Sequence, residues 1–381
     1  MKKHLFIALL FTLLSCKERE AKNSFKKEKN KVVTIEDATG FKIEKKSNGV
    51  TIITVTSPWP QAKNGFTYAL VPKHKKASIS IPKNQYDAII ATPVYNIIAT
   101  STAHIPALES LGVDSTLIGF PNTDYISSTK TRKRIDNQKV KELGNQELLN
   151  TEIALSLNPE VVFGFGIDRK NKAYQTLKAA NIPIVYNGDW AEKTPLGKAE
   201  WIKFFAPFFN QEKKADSIFK SVKKEYLKAK KLALKATKFP TVISGAMYKD
   251  VWYLPGGKSW AAQYLKDAKV AYLYKDNTDA GSLSLSWEAV LEKGKYADFW
   301  ISPSQFTSYK ELQESSKHYT EFNAFKNKKI YSFAGTKGAT GGLLFFELAP
   351  SRPDIVLKDL ISIFHPEVLP NYKPFFYQPL K

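Results

Sequence analysis

From residue 87 to residue 186 short apolar runs alternate with helical stretches, and after one long helical segment the same alternation returns from residue 241 to the end. Strands alternating with helices form parallel sheets covered on both faces, so this order predicts an α/β protein of two lobes. In the first lobe the expected strands are 87–92, 115–119, 160–165 and 183–186, with helices over 95–111, 150–157 and 172–180. The second lobe is expected to hold strands at 241–246, 299–302 and 329–333 and helices at 259–266, 287–293 and 353–364. Between them residues 195–238 read as one interlobe helix, with only Pro207 interrupting it and Ile218, Val222, Tyr226 and Ala229 on a single face. A length of 381 residues agrees, because single hydrophobic cores stop growing near ~250–300 residues.

Two shorter regions precede the lobes. Lys2 and Lys3 lead into the apolar run Leu5–Leu14, which is too short to span a bilayer and has the layout of an export signal. The run ends Leu13-Leu14-Ser15-Cys16, followed by polar residues, and resembles the lipobox of bacterial lipoproteins. That resemblance implies cleavage of residues 1–15 and lipidation of Cys16, the chain's one cysteine. Residues 16–31 are charged and aperiodic, as a flexible tether would be. The first lobe, residues 32–194, then begins with a small β region in which Ser47-Asn48-Gly49 marks a hairpin.

The formal charge is +21, from 57 Lys+Arg against 36 Asp+Glu. Nearly all of it is lysine spread along the chain; the arginines are Arg19, Arg132, Arg134, Arg169 and Arg352. Guanidinium is the group suited to bidentate base and phosphate contacts, so nucleic acid is not an expected partner.

A segment recurs in both lobes. Asn150-Thr151-Glu152-Ile153 opens a helix that leads through Pro159-Glu160 into Val161-Val162-Phe163; Ser286-Trp287-Glu288-Ala289 opens one leading to Phe299-Trp300-Ile301. Asn150 and Ser286 are natural N-caps, and a glutamate in a first turn gains ~0.3–1 kcal/mol from the helix dipole. With the long interlobe helix, these residues resemble the ABC-transporter substrate-binding proteins that handle ferric siderophores, haem and cobalamin, over nearly all of the mature chain. The resemblance implies two Rossmann-like lobes with mainly parallel sheets, a spine helix over 195–238 and a C-terminal lobe over 239–381. It also implies that Glu152 and Glu288 dock on a membrane permease dimer, and that the protein is a monomer without cofactor or catalytic residues.

Ligands of open α/β sheets bind beyond the carboxyl ends of the strands. The loops there are rich in rings, and the candidate ligand contacts are Tyr95, Tyr125, Arg169, Trp190, Tyr248, Trp252, Lys258 and Trp260. Gly256-Gly257 ahead of a helix, beside Lys258, could offer N–H groups to an anion. The lysine excess and the rings favour an anionic ferric siderophore, with haem and cobalamin as alternatives. The chain has no HExxH, no Gly-x-Ser-x-Gly elbow and no phosphate-binding loop, so a resident metal site and the commonest hydrolase and nucleotide chemistries are not expected. The rival readings are a glycan-acting lipoprotein enzyme using Glu152 and Glu288 as its acids, and a surface capture lipoprotein without a permease. The expected location is the cell envelope, lipid-anchored and facing the periplasm or displayed at the surface.

Overall fold

The computed structural model describes residues 30–60, 62–145, 148–168 and 170–381; the leader, Cys16 and Arg169 lie outside this set. The chain opens with a five-stranded sheet: β1 (Lys31–Val32), β2 (Phe41–Lys45), β3 (Thr51–Val55), β4 (Phe66–Pro72) and β5 (Ala88–Thr92). β1 to β4 are antiparallel neighbours in chain order, and β5 adds to β4 in parallel. The 87–92 strand thus belongs to this opening sheet and not, as expected, to the parallel strand-helix alternation that follows it. Its burial explains the difference: Ile90 and Thr92 point inward and Ile89 outward, the alternation of a half-exposed strand.

In the first lobe follow β6 (Ile97–Ala99), α1 (His104–Leu111), β7 (Leu117–Phe120), α2 (Thr129–Asp136), β8 (Lys141–Glu142), α3 (Thr151–Ser156), β9 (Val161–Gly164), α4 (Lys172–Ala179) and β10 (Ile184–Tyr186). The sheet is parallel, ordered β10-β9-β6-β7-β8. The helix expected over 95–111 is therefore split, because the wholly buried run Ile97-Ile98-Ala99 is a central strand.

The expected single helix over 195–238 is also divided, into α5 (Pro195–Glu200), α6 (Ile202–Phe205) and α7 (Glu212–Ala233). Pro207 sits in a 3₁₀ turn and Asn210 takes a positive φ of 57°, which together end the run before α7. α7 buries Ala215, Phe219, Tyr226, Ala229 and Ala233, one stripe at helical spacing. Ala215 and Phe219 belong to the first core, whereas Tyr226, Ala229 and Ala233 belong to the second.

The second lobe comprises β11 (Thr241–Ser244), β12 (Ala246–Tyr248), β13 (Val251–Pro255), α8 (Trp260–Asp267), β14 (Ala271–Tyr272), β15 (Ser282–Ser286), α9 (Trp287–Gly294), β16 (Phe299–Ile301), α10 (Tyr309–Ser315), α11 (Asn323–Lys326), β17 (Ile330–Ser332), α12 (Leu344–Leu348), α13 (Pro353–Phe364) and β18 (Gln378–Pro379). Its main sheet runs β14-β11-β16-β17-β18, parallel except for the tail strand β18; β12, β13 and β15 form a separate antiparallel sheet. With the edge strands β8 and β18 left aside, β7-β6-β9-β10 and β14-β11-β16-β17 are both in the order 2-1-3-4. Such a sheet reverses direction between its first and third strands, and a crevice opens at their carboxyl ends.

Carboxylates tie the parts together. Buried Glu200 accepts the backbone N–H groups of Glu36 (2.9 Å), Asp37 (2.6 Å) and Ala38 (2.9 Å), and Glu192 accepts those of Thr39 (2.9 Å) and Gly40 (2.7 Å). Across the lobes, Glu347 of α12 accepts the N–H groups of Ser127 (2.6 Å) and Ser128 (2.8 Å) at the start of α2. Ser127 Oγ donates to the Gly342 carbonyl at 2.9 Å and Thr340 Oγ1 to that of Asp124 at 2.7 Å.

Candidate functional site: the interlobe cleft

A hollow of about 680 Å³ lies at the switch point of the second lobe, where Ser244-Gly245 ends β11 and Ile301-Ser302 ends β16. Both turns are conformationally special. Gly245 has φ 80°, and a Cβ there would lie 1.8 Å from the Tyr253 carbonyl oxygen, so only glycine fits. Ser302, with a side chain, nevertheless holds φ 55°. Beneath this floor two indoles fix the backbone: Trp252 Nε1 donates to the Ser244 carbonyl (3.0 Å) and Trp300 Nε1 to that of Gly245 (2.8 Å).

The first lobe roofs the hollow with Ser57, Trp59, Pro60 and Ala62 from one loop and residues 190–193 from another. They brace each other, since a Cβ on Gly188 would stand 2.3 Å from the Ser57 carbonyl oxygen. Trp59 is fixed edge-on against Tyr186 at 5.5 Å, and Trp190 lies 5.5 Å from Phe165. From the second lobe come Trp260 at the start of α8, Tyr253 on β13, and Phe345 and Phe346 on α12. A volume in this range, with aromatic walls and a few hydroxyls, is that of a small-molecule site. Beside Trp260 stand a half-buried amine and a buried carboxyl: burial pulls the Lys198 amine below its ordinary pKa and pushes the Asp189 carboxyl above its own. Lys198 Nζ lies 5.1 Å from the Trp260 ring centroid.

Of the residues expected to touch ligand, the structure brings Trp190 and Trp260 together in the cleft wall. Trp252 is a correction: it is 0% exposed, 5.2 Å from Trp300, and acts under the floor. Along β13 burial alternates, so Trp252 and Leu254 turn into the core and Tyr253 turns out to the cleft. Tyr95, Tyr125, Tyr248 and Lys258 do not line the cleft. Tyr95 is on an ionic surface cluster, its N–H donating to Glu160 and Lys73 Nζ 4.2 Å from its ring. Tyr125 is exposed beside the interlobe contact, and Tyr248 is exposed at the end of β12. Lys258 is exposed, and the glycine turn before it makes no anion cradle, because the N–H groups of Gly256 and Lys258 are taken by the carbonyls of Gly281 and Asp279. Arg169 lies outside the described residues, and its neighbours Asp168 and Lys170 are not in the cleft wall.

Trp59, Tyr253, Phe345 and Phe346 were not among the expected contacts. Period-two burial along β13 could have found Tyr253; nothing local separates Phe345 and Phe346 from core rings.

Glu152 and Glu288 are both exposed, in the first turns of α3 and α9, which precede the third strand of their lobes. Their caps are alike: Asn150 Oδ1 accepts from Ile153 N at 3.0 Å and Ser286 Oγ from Ala289 N at 3.3 Å. A helix antiparallel to its strands starts at their carboxyl ends, so both glutamates stand at the cleft end of their lobes. Glu288 also borders a smaller surface hollow in which Trp287 and His318 stack at 3.8 Å; Glu152 borders neither hollow. Among the described residues no group of three His, Cys, Asp or Glu could hold a metal ion, and no helix is long and apolar enough to cross a membrane.

Two lobes of one topology, hung on a shared helix around a ligand-sized cleft, define a bilobal binding protein. The chain belongs to the periplasmic binding protein family, whose profile matches residues 97–335, from β6 to just beyond β17. It is 26% identical, over 298 residues, to an uncharacterized lipoprotein of Methanocaldococcus jannaschii, covering 76% of this chain and 69% of that one. Its fold is shared with a periplasmic haem-binding protein of Pseudomonas aeruginosa (TM-score 0.57, 16% identity, 76% of this chain and 98% of that one). It is shared too with a protein of the ABC-type Fe3+-hydroxamate transport system of Saccharomonospora viridis (TM-score 0.54, 17% identity, 72% of this chain and 94% of that one).

Proposed function

We propose that this protein is the lipid-anchored substrate-binding component of an ABC importer, which captures an iron chelate or a related metal complex in the interlobe cleft and presents it to a permease. The observation that carries this reading is the aromatic cleft of about 680 Å³ at the switch point of the second lobe, roofed by loops of the first. Haem and Fe3+-hydroxamate, named for solved proteins of the same fold, support that ligand class. Cys16 is the anchor in this reading, in keeping with the lipoprotein designation of the archaeal relative. Glu152 and Glu288, one exposed carboxylate per lobe, serve as the permease contacts; such rim charges act on encounter rate and register.

The test is titration of intrinsic fluorescence, since Trp59, Trp190 and Trp260 all stand in the wall. Ferric siderophores, haem and cobalamin are the probes. Saturable quenching at micromolar concentration by at least one of them is expected; silence with all of them defeats the reading.

A further inference from the structure

We propose that the cleft selects an uncharged metal complex, one whose outer face carries amide, carbonyl or hydroxamate oxygens but no free carboxylates or catecholate oxygens. This rests on the cleft being the ligand site and narrows its cargo. The lysine excess suggested an anionic chelate, but the cleft does not carry that charge inward. Among its described lining residues only Glu192 and Lys193 are ionic. Lys193 is exposed, and in the glycine turn that might have held an anion the N–H groups of Gly256 and Lys258 are bonded internally.

Glu192 is not available to a ligand either. Its carboxylate is 4% exposed as a residue and already accepts from Thr39 N (2.9 Å), Thr39 Oγ1 (3.1 Å), Gly40 N (2.7 Å) and Trp201 Nε1 (3.0 Å). The half-buried Lys198 beside Trp260 is not among the cleft's described lining residues, and its Nζ already donates to the Asp189 carbonyl at 3.1 Å. A polyanion entering this wall would lose water and meet, among the described lining residues, the one exposed amine of Lys193 against its several charges, which is a costly arrangement for a buried polyion.

The wall offers neutral hydrogen-bonding groups instead. Ser302 Oγ and Tyr377 OH lie 3.2 Å apart at the end of β16, and Ser244, Ser259 and Ser282 stand around the same floor. Hydroxyls of this kind donate to carbonyl or hydroxamate oxygens without a charge on either side. Burial pushes the phenols of Tyr264 and Tyr377 well above their ordinary range, so at neutral pH they are donors and not anionic metal ligands. Flat rings such as Trp260 and Phe346 meet the apolar faces of the complex.

Four probes test this on the purified protein by fluorescence titration: an uncharged ferric trihydroxamate, cyanocobalamin, a polyanionic ferric tricatecholate, and haem with its propionates. Trihydroxamate and corrinoid are two sources of the same uncharged chemistry, and the comparison between them tells which is accepted. Expected is saturable binding of at least one uncharged probe, roughly 100-fold tighter than either anionic one and unchanged between low and high salt. Equal or tighter binding of the tricatecholate or haem overturns the uncharged class while leaving the importer reading in place. Binding of none of the four defeats both. A second arm uses Phe346→Arg, at a residue 51% exposed whose replacement should spare the fold. That variant should gain affinity for the tricatecholate; a folded variant whose anion affinity is unchanged overturns the proposal.

Discussion

The two tryptophans of greatest interest differ in what they support. Trp252 is buried in a cluster with Trp300, Tyr319 and Phe322, and its N–H holds the Ser244 carbonyl. Trp252→Ala should therefore cost about 3–5 kcal/mol in urea unfolding. Trp260, partly exposed at the head of α8, should behave oppositely: Trp260→Ala should lose ligand affinity about tenfold or more while unfolding shifts by less than about 1.5 kcal/mol. A large stability loss at Trp260 with unchanged binding would contradict its place in the wall. The sequence marks both as rings after strands and cannot tell them apart, because a ring lowers free energy equally by filling a core or by facing a ligand. Only the pleat of β13 decides, turning Trp252 in and Tyr253 out. The caps Asn150 and Ser286 were legible for the opposite reason: capping is local chemistry within three residues.

Among the elements, α12 is the one that joins cleft and lobes. Phe345 and Phe346 face the cleft, and the next residue, Glu347, caps α2 of the opposite lobe. Burial raises the Glu347 carboxyl to about 7, with the nearby Glu109 adding to the rise and the Ser127 and Ser128 N–H groups opposing it. A carboxyl that binds its proton more tightly when folded contributes stability that is complete below its unfolded pKa of 4.5 and is lost as pH rises through about 7. The unfolding free energy from urea titration should accordingly fall between pH 5 and pH 8, by an amount on the order of 3 kcal/mol at most, and Glu347→Gln should flatten that fall. An unchanged slope in the variant would show that other groups govern it. Short helices such as α12 were not legible in the sequence, because five residues show no period. Nor was the division of residues 195–238, where apolar residues continue through the 3₁₀ turn at Pro207 and the positive φ of Asn210 completes the break before α7. The alternation of strand and helix was legible because central strands such as Val161–Gly164, Ile184–Tyr186 and Phe299–Ile301 are short apolar runs.

For the whole molecule, the paired lobes give the docking proposal a clean test. Glu152→Lys and Glu288→Lys alter exposed side chains away from the cleft wall, so each variant should fold and bind ligand as the parent does. Uptake in cells carrying the cognate permease should fall, most in the double variant; intact uptake there would remove these residues from the interface. Another consequence comes from α7. Twenty-two residues long, about 33 Å at 1.5 Å per residue, it seals its leading half in one interior and its trailing half in the other. Neither interior can melt while its neighbour stays whole, for the shared rod would have to fray out of both. Calorimetry should show a single endotherm with matching calorimetric and van't Hoff enthalpies, so that heat destroys the two halves as one cooperative unit.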